Sequence, residues 1–123
     1  MPTLIDAVLA REVEMEPRGI TSIVKRIFDG EEFVRPIPSE FPAMLAVIFS
    51  AAPGSVFDVS TEVRSHTGHP LWFDSGNLAT PATGRGEVAI EVNIPVLDAG
   101  PCVVALRFGD AEVWSQRIAF AAA

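Results

Sequence analysis

Proline and glycine recur so often along this chain that no long helix fits between them. Ten Pro and nine Gly punctuate 123 residues. Proline removes a backbone donor and fixes φ, while glycine marks turns, so each interval has room only for a short element. Hydrophobic residues nevertheless make up 49% of the chain, too many for disorder and enough for one packed core. Short strands are the remaining way to bury them.

The hydrophobic pattern between the breaks has a period of two. Phe57, Val59, Thr61 and Val63 alternate with Asp58, Ser60, Glu62 and Arg64. Val88, Ile90, Val92 and Ile94 alternate with Glu87, Ala89, Glu91 and Asn93. Both segments read as half-buried strands. The nearly continuous apolar run Ala43–Ala52 reads as a central strand buried on both faces. Leu4–Glu16 and the β-branched segment Ile20–Phe28 read as strands, with turn signals at Pro17–Gly19 and Asp29-Gly30. Thr67-Gly68 turns the chain into a short strand at Leu71–Phe73. Cys102–Phe108 and Glu112–Phe120 flank Gly109-Asp110 as a terminal hairpin. Phe33–Pro42, with three prolines, and the polar segment Ser75–Arg85 read as loops. The expectation is an all-β, two-sheet antiparallel sandwich of seven or eight strands in a single domain over 1–123. Val59, Val63, Ile90, Val92 and Leu106 are expected in its core, with Trp114 at least partly inside.

Charge and segment lengths exclude several functions. Sixteen acidic residues against nine basic ones leave a formal charge of -7, so no basic face for duplex DNA is expected. The longest apolar runs, Met44–Phe49 and Ile118–Ala123, are too short to span a bilayer. The start of the chain lacks a basic region, and Asp6 interrupts its apolar stretch, so no signal peptide is expected. One cysteine fits a reducing compartment. The expected location is the cytoplasm.

Several local patterns occur in an order that resembles a known family. Gly19-Ile-Thr-Ser-Ile-Val-Lys-Arg-Ile-Phe28 is followed by Pro38-Ser-Glu-Phe-Pro42 and the apolar strand. Leu97-Asp-Ala-Gly-Pro101 then precedes the hairpin around Gly109-Asp110. This order resembles an uncharacterised family of short bacterial proteins with an immunoglobulin-like β-sandwich. The resemblance implies that fold and brings no catalytic residues with it. Cys102 stands where the family pattern favours an aromatic residue. The chain has no Tyr, so the tyrosine corner of immunoglobulin domains is impossible here.

Few residues carry candidate chemistry. His66-Thr-Gly-His69, with Asp74 nearby, is the only His pair and could ligate a metal or serve hydrolysis, but Thr-Gly is also turn chemistry. Cys102 lies in an apolar stretch and reads as a buried structural thiol. No Gly-x-Ser-x-Gly elbow is present, and Gly84-Arg-Gly86 is too short for a phosphate loop. Glu12, Glu14 and Glu16 share a strand face and read as a solvated acidic edge. The function expected on these grounds is non-enzymatic binding or scaffolding through loops or a sheet edge, with no cofactor and no metal. The alternative is a small metal-binding or hydrolytic accessory protein using His66, His69 and Asp74. The expected partner is a protein, including a second copy in a homodimer. Phe33, Phe41, Trp72 and Phe120 are the candidate interface residues. The proline loop and the C-terminal tail are the expected exposed patches.

Overall fold

The computed structural model describes the backbone of residues 2–15, 22–26 and 33–123. The strands in chain order are β1 (Thr3–Ala10), β2 (Glu12–Met15), β3 (Ser22–Arg26), β4 (Val34–Arg35), β5 (Ser39–Ser50), β6 (Val56–Ser65), β7 (Pro70–Ala79), β8 (Arg85–Val96), β9 (Gly100–Phe108) and β10 (Ala111–Ala122). No α-helix occurs among the described residues, and none is therefore long and apolar enough to cross a membrane. The two larger sheets are three-stranded, in the order β1-β5-β8, and five-stranded, in the order β4-β10-β9-β6-β7. β2 and β3 form a separate antiparallel pair. The Glu12/Glu14/Glu16 side-chain row and the turn signals at Pro17–Gly19 and Asp29-Gly30 fall outside the described residues.

Among the described residues ten strands stand where seven or eight were expected. Two changes account for the difference, and a third lengthens a strand already expected. The segment Leu4–Glu16 breaks at Arg11 into β1 and β2. The proline segment is not one loop: Val34 and Arg35 pair parallel with Ala121 and Ala122, and β5 already begins at Ser39. Pro42 is tolerated inside β5 because β1 reaches only as far as Met44, leaving β8 as the single partner beyond it. Ser75–Ala79, expected as loop, continues β7 along β6. β7 is the last strand of its sheet, so Asp74, Ser75 and Asn77 remain exposed while their backbone pairs. Here polarity does not conflict with strand formation.

One core lies between the larger sheets. Phe41, Leu45, Val47 and Phe49 from β5 meet Val63 from β6, Val92, Ile94 and Val96 from β8, and Val104, Leu106 and Phe108 from β9. Val59, Val63, Val92 and Leu106 are buried as the alternation predicts. Ile90 is half-buried and packs against the core, as does Trp114. On the outward face of β5, Ala46 is buried while Met44 and Ile48 are half-buried, so this strand is covered more completely on one face than on the other.

Aromatic rings close the core at both ends. Phe41 of β5 meets Phe120 of β10 edge-on at 5.1 Å, and Phe33 stacks on Phe41 at 5.6 Å. At the other end Phe49, Phe57 and Phe108 form a second trio with centroids 5.1 to 6.3 Å apart. Gly86 faces Phe49 in the β5–β8 register. A Cβ on Gly86 would overlap the Phe49 ring, so glycine is required there for space.

This packing sets a clear hierarchy of costs. Phe41→Ala is expected to destabilise by about 3–5 kcal/mol, since the ring is fully buried. Gly86→Ala should cost about 1–3 kcal/mol by overpacking against Phe49. Phe73→Ala, at a side chain 60% exposed, should stay within about 0.5 kcal/mol of wild type. Equilibrium denaturant unfolding of the three variants measures the order directly.

Candidate functional site

Two places on the molecule gather polar groups, one at an end of the sheets and one along their side. The end site is built by strand register. β6 and β9 pair so that Ser65 lies opposite Cys102, which puts the β6–β7 turn beside the start of β9. A cavity of about 200 Å³ forms there, lined by His66, His69, Leu71, Asp98, Cys102 and Phe120 among others.

The polar groups of that turn are largely occupied in holding it. Ser65 N–H donates to the His69 carbonyl at 2.8 Å, and Gly68 N–H donates to the Ser65 carbonyl at 2.9 Å. His69 N–H donates to Ser65 Oγ at 3.1 Å, and the Ser65 and Thr67 hydroxyls are hydrogen-bonded at 2.9 Å. Gly68 has φ of 90°, a conformation that side chains disfavour. Both imidazoles are exposed. Asp74 does not join them; it lies on β7 opposite Thr61 and faces other cavities. The constellation His66/His69/Asp74 is thus not assembled. Among the described residues no group of three or more His, Cys, Asp or Glu is placed to hold a metal ion.

Cys102 is buried at the base of this cavity. Burial pushes its thiol up from 9.0 to about 11, because a thiolate loses its hydration there. A nucleophilic cysteine needs the opposite shift, supplied by a cation or base.

The side site follows from the unequal width of the sheets. β7 extends the five-stranded sheet, while β8 ends the three-stranded one. Trp72 lies opposite Val63, a core residue, and so turns toward the inner face. It is half-buried and packs against the core. A groove of about 400 Å³ opens beside it, lined by Arg11, Met44, Trp72, Asp74, Glu91 and Asn93 with Pro42, Ala43 and Val92. A neighbouring cavity of about 120 Å³ shares Asp74 and reaches Ser60, Gly76 and Ile90.

Of the four candidate interface residues, Trp72 alone opens onto this groove. Phe41 is fully buried and Phe120 is 5% exposed, which corrects their expected place on the surface. Phe33 is half-buried and packs edge-on against Phe120 at 5.9 Å. The cause is the β4–β10 pairing, which draws the proline segment onto the C-terminal strand. Alternation along β10 then turns Ile118 and Phe120 inward and leaves Ala119 and Ala121 outward. Sequence reasoning missed Arg11, Met44, Glu91 and Asn93. Glu91 and Asn93 were visible as the polar face of β8, but nothing local linked that face to Trp72. Comparison with protein-family models and with curated proteins returns no match for this chain.

The Cys102 environment has measurable consequences. At pH 8, alkylation of the native thiol should run at least about a hundredfold slower than in the unfolded chain, from the thiolate fraction alone. Below the unfolded value of 9.0 both states keep the proton. Between there and about 11 the unfolded chain releases it first. Stability should therefore fall as pH rises through that window. Denaturant titrations from pH 8 to pH 11 should show a slope steeper for wild type than for Cys102→Ala.

Proposed function

We propose that this chain is an immunoglobulin-like sandwich module that acts by non-enzymatic binding of a protein partner. The strand order supports the fold. β1, β5 and β8 take the places of strands A, B and E, while β10, β9, β6 and β7 follow the order G, F, C and C′. β4 then plays the part of a first strand that has switched sheets to run parallel beside the last.

The groove at Trp72 carries the binding reading. It combines an aromatic wall that is half-buried before any ligand arrives with two exposed carboxylates, Asp74 and Glu91, which outnumber the one cation in its lining, the half-buried Arg11. A preformed aromatic surface costs little entropy on binding, and such residues dominate interface energetics. An apolar side chain of the partner would lie on the indole. A basic neighbour would face Asp74 and Glu91, in keeping with the overall charge of -7. The end cavity supports binding less well, because its polar groups are engaged in the turn.

Affinity capture from host extract, compared across variants, tests the reading. Wild type and the His66→Ala/His69→Ala double variant should retain the same protein partner. Trp72→Ala should weaken that complex by about thirtyfold or more. Asp74→Asn, which leaves the indole packing in place, should weaken it in the same direction. A partner held equally by all four proteins would refute the groove as the binding site.

A further inference from the structure

We propose that the outer edge of β10 is a homodimerisation edge, pairing antiparallel with the same strand of a second copy about a two-fold axis at Ser115. The proposal concerns a surface separate from the Trp72 groove and stands without it.

The edges of the two sheets are not equivalent. In β1 the chain bulges between Leu4 and Asp6, and Asp6 Oδ1 accepts the N–H of Ala7 at 2.9 Å. β7 starts at Pro70, has a register shift beside it, and Asp74 Oδ1 accepts the N–H of Ser75 at 3.0 Å. β8 contains Pro95 and has β7 beside it across the groove. Prolines, bulges and charged side chains turned onto the backbone are devices that block strand addition. β10 contains no proline and no Asp or Asn, and its single bulge, at Val113, lies near its start and leaves Trp114–Phe120 regular. On its side away from β9, β4 pairs with Ala121 and Ala122 only. Among the described residues no strand pairs there with Ala111–Phe120.

The side chains along this edge are complementary to themselves. Glu112 lies opposite Arg107 and Arg117 lies opposite Val103 on β9. The register shift between Glu112 and Trp114 makes Val113 the extra residue. Glu112 and Arg117 therefore share the outward face, although their sequence spacing alone would separate them. Ser115 shares that face, opposite Ala105. An antiparallel copy centred on Ser115 sets Gln116 against Trp114 and Arg117 against Glu112, each twice by symmetry. Arg117 is exposed and has no ion-pair partner among the described residues. Glu112 already receives Arg64 at 3.0 Å on Oε1, so it is held in place with a second oxygen available to the arriving guanidinium. The chain would then form one continuous sheet across two molecules, with the aromatic core of each left undisturbed. The tail Ala121–Ala122, already paired with β4, takes no part.

Charge-swapped variants test both the dimer and its register. By sedimentation, wild type is expected to show a concentration-dependent rise from 13.2 kDa toward twice that mass. Arg117→Glu and Glu112→Arg each turn two attractive pairs into two repulsive ones and should weaken self-association by about tenfold or more. Mixed in equal amounts they should associate as tightly as wild type, because one pair is then native and the other is restored in reverse. Recovery in the mixture also establishes that both variants are folded. Oxidised Ser115→Cys should form a disulfide-linked dimer, whereas Thr83→Cys, on an exposed turn, should not. Buried Cys102 does not compete. Wild type that stays monomeric up to millimolar concentration overturns the proposal. So does a mixture no tighter than either variant alone, or a Ser115→Cys protein that fails to cross-link.

Discussion

The structure depends on β5 and the two rings it carries into the core. Phe41 and Phe49 project from the same face near opposite ends of this strand, and both are buried. Each joins a trio of aromatic rings that crosses from one sheet to the other. Edge-to-face packing adds a directional preference to the general benefit of burial. Two such anchors fix both the separation and the relative rotation of the sheets. The aliphatic residues between them, Leu45 and Val47, then meet Val104, Leu106 and Val63 without competing arrangements. Gly86 is the local consequence, a position emptied of side chain so that Phe49 can lie flat against β8.

The side groove is a product of the same geometry. β5 is central to a three-stranded sheet that faces a five-stranded one. The wider sheet must overhang, and it overhangs on the side of β7. Trp72 covers part of its own strand's inner face but has no complete ceiling, so a concave apolar surface with carboxylates at its margins remains. The groove itself follows from mismatch between layers and requires no specialised loop.

The end of the molecule illustrates how suggestive residue types become structural. Ser65, Thr67 and Gly68 are occupied in closing the β6–β7 turn. Cys102 begins the inward-facing row of β9, and its thiol is stabilised in the protonated form by burial. The imidazoles lie in solvent at the margin of a small cavity.

How much of this was legible in the chain depends on the range of the interactions involved. Period-two alternation at Phe57–Val63 and Val88–Ile94, the turn at Thr67-Gly68 and the hairpin at Gly109-Asp110 are local properties, set by backbone geometry and by which face meets water. They determined the all-β class, the absence of a long helix, and most of the core. Burial of Cys102 was equally readable, since its apolar neighbours accompany it along one strand. Pairing across long sequence separations was decided only in three dimensions. The parallel contact of Val34 and Arg35 with Ala121 and Ala122 drew Phe33 onto Phe120, while the inner faces of β5 and β10 took Phe41 and Phe120, against the expectation of an exposed loop and tail. Asp74 was separated from the histidines by the register of β6 against β7, and joined instead to Glu91 and Arg11 from segments distant in sequence. The bulge at Val113 placed Glu112 and Arg117 on one face, which no count along the sequence indicates. A residue's own pattern fixes the face it prefers, but only the neighbouring strand decides what that face meets.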